Sequence, residues 1–347
     1  MKSAHFKIMG IALSAFALVA VASQAQAATL ADRLAGRILI QAQNKGQAWY
    51  VHPATKQRQF LYHPSQAFQV MREQGIGITN ADLEKIPLGL REYSGTDTDG
   101  DGLPDAFEEA IGTDPNKADT DGDGYDDKTE LSAIYNPKGP GMMPYNAQFA
   151  MQQRGKIFLQ VESHGEAWWV NPDEDKRYFL GRPDDALALM RAYGKGISDN
   201  DIKAIPITNN KMDCLTDQDC LIAATEVGQP TRVAWNMMAN IYGIIIDSDT
   251  DMEITSEAAR HRYQQKTMRI QTMLSDELKE ALREDGKTEE EIAQVETEAQ
   301  TSAQEAVGTM MTCHFGDNNQ MVNLLRQWQA GNFTDDDLSF AECTTQE

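Results

Sequence analysis

Positive charge is what this chain has least of. Across 347 residues, 31 Lys and Arg stand against 53 Asp and Glu, a formal charge of −22. Such a surface repels phosphate backbones and anionic headgroups, which excludes nucleic acid and acidic lipid as partners. Histidine is sparse too, with six scattered along the chain. There is no Gly-x-Ser-x-Gly, no His-Glu-x-x-His and no glycine loop of the phosphate-cradling kind, so no familiar catalytic motif is present. We expect no enzymatic activity. The alternative kept open is a wall hydrolase with paired carboxylates among the many acids. Beyond residue 27 no apolar run is long enough to span a bilayer.

The first 27 residues have a different character. Lys2 and Lys7 precede a mostly apolar stretch from Ile8 to Val21, and Ala25-Gln26-Ala27 ends it with small residues. That pattern predicts a secretory signal peptide cut before Ala28. The expected location is therefore outside the cytoplasm: extracellular, on the cell surface or in the periplasm. Four cysteines in an oxidising compartment read as two disulfides.

The acids are unevenly spread. From Asp97 to Glu130 there are 13 acids and two bases, Lys117 and Lys128. Two stretches in this segment, starting at Asp97 and Asp119, read Asp-x-Asp-x-Asp-Gly-x-x-Asp-x-x-Glu. Side chains at places one, three, five and nine point inward, the seventh residue offers a carbonyl, and the twelfth closes the shell with a carboxylate. The sixth must turn sharply, which glycine does at no steric cost. Oxygen-only donors select calcium or magnesium over zinc or copper. Without cations the segment repels itself, so its folding and its ion binding should be one event.

An internal repeat surrounds the acidic segment. Gly36 to Pro87 aligns without a gap to Gly155 to Pro206, and roughly 20 of about 52 positions are identical. Matched pairs include Gly36/Gly155, Gln41/Gln160, Trp49/Trp168, Phe60/Phe179, Arg72/Arg191 and Pro87/Pro206. Each copy reads as three short strands followed by two helices, in the second copy Lys156 to Val161, Ala167 to Val170, Arg177 to Leu180 and a helix opened by Pro183. Thr79 and Ser198 are expected to cap the final short helix. About fifty residues is marginal for an independent core, so each copy should lean on a neighbour. Trp49 and Trp168 are expected to anchor the cores. Tyr50 and Trp169, on the opposite strand face, offer an alternative reading as exposed platforms for a glycan.

The acidic segment, with its Gly112-Thr113-Asp114-Pro115 connector, resembles the bacterial form of the thrombospondin type 3 repeat, a calcium-loaded array of secreted and surface proteins. It is also similar to the EF-hand loop. The resemblance implies a first ion held by Asp97, Asp99, Asp101, the Leu103 carbonyl, Asp105 and Glu108. It implies a second held by Asp119, Asp121, Asp123, the Tyr125 carbonyl, Asp127 and Glu130, with Asp114 as a further donor. The cofactor is thus Ca2+ at two sites. The Gly-Glu-Ala-Trp-Trp-Val-Asn-Pro and Arg-Tyr-Phe-Leu-Gly-Arg-Pro runs of the second copy, between Gly165 and Pro183, resemble a short module of exported bacterial proteins, and the resemblance implies export and modularity, not a reaction.

After a Pro/Gly linker and the second copy, the last third begins at Asp213. Val233 to Ile246 alternates as strands do. Ser256 to Met311 reads as mostly helical with a break near Gly286, and Met321 to Gln329 as a short helix stopped by Gly331. The favoured pairings are Cys214–Cys220 and Cys313–Cys343; the alternative is a Cys313–His314 catalytic pair, which the usual divergence of adjacent side chains disfavours and which free thiols at Cys313 and Cys343 would support. Asp247, Asp249 and Asp251 could mimic a third metal loop but lack its glycine and its later acids.

The expected fold is a multidomain α+β chain: two three-stranded repeats with helices, joined by calcium loops, then a mostly helical α+β C-terminal domain. The expected division is signal peptide 1–27, first copy 28–92, tandem loops 93–136, linker 137–150, second copy 151–207 and C-terminal domain 213–347. The expected role is a secreted or surface-attached structural protein whose two ions stiffen a spacer between the copies. The alternative is an adhesin for envelope glycan or peptidoglycan. Partners are expected among envelope polymers or other surface proteins.

Overall fold

The computed structural model describes residues 28–43, 46–257, 260–334 and 337–346; the expected signal peptide lies outside them. The first copy runs α1 (Leu30–Arg33), β1 (Ile38–Gln41), β2 (Gln47–Val51), β3 (Arg58–Leu61), α2 (Pro64–Glu73), β4 (Ile76–Ile78) and α3 (Asn80–Leu83). The acidic segment contributes α4 (Asp105–Ile111) and α5 (Asp127–Ser132), and α6 (Ala147–Gln152) leads into the second copy. That copy repeats the order as β5 (Ile157–Gln160), β6 (Ala167–Asn171), β7 (Lys176–Phe179), α7 (Pro183–Tyr193), β8 (Lys195–Ile197) and α8 (Asp199–Lys203). Proline opens α2 and α7, and the hydroxyls of Thr79 and Ser198 accept from Asp82 and Asp201 N–H to cap α3 and α8, as expected.

Each copy makes three strands of its own sheet, yet each sheet has four. The order of the first sheet is β3-β2-β1-β8 and of the second β4-β5-β6-β7. The fourth strand therefore comes from the other copy, paired in parallel: Gln41 opposite Ile197 in one sheet, Gln160 opposite Ile78 in the other. The exchange continues past the strands. Arg58 N–H donates to the Pro206 carbonyl at 2.7 Å, and its twin Arg177 donates to Pro87 at 2.8 Å. The guanidinium of Arg58 lies 4.4 Å from the Trp49 ring centroid, and that of Arg177 5.0 Å from that of Trp168. The dependence of each copy on a neighbour is thus satisfied by the other copy.

Exchange explains the fate of the aromatic residues. Trp49 and Trp168 are buried anchors, as expected. Tyr50 and Trp169 are only 1% exposed, so they are no glycan platforms. The Tyr50 hydroxyl donates to the Gly155 carbonyl at 2.7 Å, and Trp169 Nε1 donates to Gly36 at 3.1 Å. A strand that looks one-sided in isolation is covered on both faces here.

The covers follow the same reciprocity. The chain leaving the first copy lays Tyr93 and Phe107 on the outer face of the second sheet. There Phe107 lies 5.8 Å from Phe179 and 6.3 Å from Trp168. The Tyr93 hydroxyl accepts Phe179 N–H at 3.2 Å. The chain leaving the second copy does the same for the first sheet, where Gln229 Oε1 accepts Phe60 N–H at 3.2 Å.

The remaining chain forms β9 (Met212–Asp213), α9 (Gln218–Glu226), β10 (Thr231–Ile241), β11 (Ile244–Glu257), β12 (Arg260–Leu274), α10 (Asp276–Glu284), α11 (Glu289–Gln304), β13 (Met310–Phe315), α12 (Asn318–Gln329) and β14 (Glu342–Gln346). One six-stranded sheet, β14-β13-β12-β11-β10-β9, organises it. The chain is α+β, as expected, but within the stretch from Ser256 to Met311 helix begins only at Asp276, with α10. The stretch from Arg260 to Leu274, read as helix, is a strand paired with β11 from Glu257–Arg260 to Ile244–Leu274. Both favoured disulfides form, Cys214–Cys220 and Cys313–Cys343.

Candidate metal centre

Both acidic loops adopt the same backbone. Each leads into one short helix, α4 or α5. The first aspartate accepts from the fourth and sixth residues: Asp97 from Gly100 and Gly102 N–H at 2.8 and 3.1 Å, Asp119 from Gly122 and Gly124 at 2.7 and 2.8 Å. The third accepts from the fifth and the fifth from the seventh, through Asp99, Asp101, Asp121 and Asp123. Sixth-place Gly102 and Gly124 hold φ of +93° and +103°, which a side chain would strain. Gly100 and Gly122, at +81° and +80°, are a second glycine requirement that the spacing argument missed.

The carboxylates gather in three groups, each with ligand oxygens within 4.8 Å of one another: Asp97, Asp99 and Asp101; Asp119, Asp121 and Asp123; and Asp101, Glu108 and Asp127. The third group crosses between the loops. It takes the fifth and twelfth residues of the first and the ninth of the second. Lys128 reinforces the crossing, its N–H donating to Asp101 Oδ2 at 3.3 Å and its Nζ to the Gly102 carbonyl at 3.0 Å. Asp105 stands outside all three groups. Its two oxygens accept from Thr98 N–H and Oγ1, both at 2.8 Å, as those of Asp127 do from Thr120 at 2.9 and 2.7 Å. Asp114 is engaged by Lys117 at 3.1 Å and by Asn116, and belongs to no group.

The donors fit a hard dication. Glu108 is fully buried, and both its oxygens lack a hydrogen-bond partner; Asp99 Oδ2 and Glu130 Oε2 are buried and unpartnered as well. Burying a carboxylate without donors is costly, and a cation removes the cost. The Leu103 and Tyr125 carbonyls accept no hydrogen bond among the described residues. Burial, followed by the charges of Asp99, Asp101, Asp127 and Asp105, pushes the Glu108 carboxyl up to about 8. Burial and then Asp123, Asp121, Asp127 and Asp119 push Glu130 up to about 7. Asp101 and Asp127 are raised by burial too. These shifts mark negative charge held together against its own repulsion.

Behind the acids is a small apolar core. Leu103, Phe107, Ala110 and Leu131 pack with Trp168, Val170 and Phe179 of the second copy. Tyr93 stacks on Phe107 at 4.7 Å. One face of α4 therefore binds the sheet while Glu108 points into the carboxylate cluster.

The same segment matches the bacterial TSP3 repeat family, once over residues 97–118 and again over 119–133. These two stretches are bacterial TSP3 repeats, and with the acidic clusters they point to calcium binding. The match spans about a tenth of the chain. A search of curated proteins found no match, nor did a search of solved structures.

The other chemistry weighed from sequence is dispersed by the fold. Cys313 is bonded to Cys343, which removes the Cys313–His314 pair. Asp247 and Asp249 share the amide of Asn236 at 2.8 Å each and the guanidinium of Arg269 at 3.1 and 2.6 Å, so both are engaged by side chains of the neighbouring strands.

Proposed function

We propose that this chain is an exported structural protein in which two calcium ions fix the segment from Asp97 to Glu130. The role assigned is mechanical, with no catalytic step. The observation that carries the reading is Glu108: buried among Asp99, Asp101 and Asp127, with neither oxygen given a donor. The first ion takes Asp97, Asp99, Asp101, the Leu103 carbonyl and Glu108, and Asp105 through its Thr98-bound carboxylate or a water. The second takes Asp119, Asp121, Asp123, the Tyr125 carbonyl and Glu130, with Asp127 between the two. Dissociation constants of roughly 10⁻⁴–10⁻³ M would suit calcium outside cells.

The segment is more than a spacer in this reading. It lies in the connection between β4 and β5, adjacent parallel strands, and its core covers the second sheet. Ions that order the loops therefore also order the cover over Trp168. Export is supported by the pattern of the first 27 residues, by two disulfides and by the TSP3 repeats. No helix among the described residues is long and apolar enough to cross a membrane. Partners would then be envelope polymers or other surface proteins.

Calorimetric titration of residues 28–347 with calcium and with magnesium tests the stoichiometry and selectivity. Limited proteolysis tests the mechanics: cleavage between Ala110 and Glu130 should be slow with calcium and fast with chelator. Equal cleavage in both would sink the proposal.

A further inference from the structure

A cleft of about 780 Å³ has no lining residue in the acidic loops. It lies where three units meet: the β2–β3 end of the first copy, α7 of the second copy, and α9 with α12 of the C-terminal domain. We infer that this cleft binds a neutral oligosaccharide.

The duplication supplies an internal control. Positions 119 residues apart have the same place in the fold, so a departure from the repeat that lines a cavity stands out against its twin. Tyr62 and His63 line the cleft, while their twins are Gly181 and Arg182. Their rings meet at 4.0 Å and, with Phe60 6.0 Å from Tyr62, make an aromatic wall. A third departure faces them. In the first copy Arg72 is spent on structure: it donates to the Gly165 carbonyl at 2.9 Å and lies 5.7 Å from the Phe68 ring centroid. Its twin Arg191 lines the cleft, is exposed, and makes no hydrogen bond or ion pair among the described residues; Leu187 replaces the ring beneath it.

The charge of the lining argues for the ligand class. Arg191 and Arg326 oppose Asp219 and Glu226, with Arg326 3.5 Å from Glu226. In a chain of charge −22 this is a locally balanced surface. It offers an anion or a cation no net attraction, but it presents donors and acceptors side by side, as sugar hydroxyls require. The rings are tilted against one another and Phe60 is buried, so it is the half-buried Tyr62 ring that supplies a flat apolar face on which the C–H face of a pyranose stacks.

The test uses residues 28–347 with calcium present and two probes, cellotetraose and chitotetraose, followed by calorimetry and ligand-observed NMR. Saturable binding of at least one, at one site per chain, is expected. Tyr62→Ala should weaken it about tenfold or more. Arg191→Ala, at an exposed and unpaired side chain, should weaken it several-fold without disturbing the fold, and Tyr242→Ala at a distant hairpin tip should change nothing. Three results would overturn the inference: no saturable binding of either probe, tighter binding of the acidic hyaluronan tetrasaccharide than of both, or binding indifferent to Tyr62 and Arg191. The calcium titration above is read separately, so neither outcome decides the other.

Discussion

The α-carbons of Gly36 and Gly155 meet where the two copies touch. A Cβ on Gly36 would stand 2.3 Å from the Gly155 α-carbon, and one on Gly155 2.2 Å from that of Gly36. Both residues also hold positive φ, +76° and +74°. Neither constraint has a cheap escape, because the obstacle is backbone. Gly36→Ala and Gly155→Ala should each cost about 2–4 kcal/mol, summing a left-handed penalty of about 1–2 kcal/mol with overpacking of similar size. Urea unfolding measures it. A loss below about 0.5 kcal/mol in both would mean the copies do not pack as described.

The crossing of Asp127 into the first loop leads to a second prediction. If its carboxylate serves Asp101 and Glu108, then Asp127→Asn should weaken uptake at the first loop as well as the second. Asp105→Asn, which faces Thr98 and lies outside the gathered groups, should do less to ion affinity. Calorimetric isotherms of the two variants, each compared with the parent chain, separate the roles. Equal effects would return the ninth-place residues to equivalent positions.

How much of this was legible beforehand depended on the range of the interaction. The repeat, the three local strands of each copy, the caps at Thr79 and Ser198 and the loop pattern are set within a dozen residues, and they appear in the sequence. The exchanged strands Ile76–Ile78 and Lys195–Ile197 are three residues long with a central glycine, too short to show a period, and their partners lie in the other copy. The segment Arg260 to Leu274 is rich in Gln, Arg, Lys and Met, good helix formers, and pairing with β11 overrides that preference. Asp105 and Asp127 occupy the same place in two matching loops, so spacing alone does not say that one reaches across to its neighbour.

The Cys313–Cys343 bridge joins residues directly opposite each other on β13 and β14. It ties an exposed edge strand to the sheet. Replacing both with Ser should lower stability by about 2–4 kcal/mol in the loop-entropy picture. Hydrogen exchange should accelerate chiefly in Glu342–Gln346, with Trp235 and Tyr263 still buried. A global loss of structure instead would show that β14 organises the sheet rather than decorating its edge.

Ion uptake should release protons, and its pH dependence has a definite sign. In the ion-free chain burial and the neighbouring carboxylates push Glu108 up to about 8 and Glu130 up to about 7, both above the ordinary glutamate value of 4.5. A carboxyl with a raised folded pKa binds its proton more tightly when folded. Its contribution to ion-free stability is therefore fully present below pH 4.5 and is lost as pH rises through 7 to 8. Calcium requires the same groups ionised, so it must displace those protons. In weak buffer at pH 7, adding calcium should acidify the solution, and at pH 9 the effect should nearly vanish. Apparent affinity should rise from pH 6 to pH 8 and then level off. Glu108→Gln should remove the larger part of the proton release and weaken the first site, because an amide keeps the shape but not the charge. Proton release unchanged by that substitution would place the titration elsewhere and leave the buried glutamate without a role in ion binding.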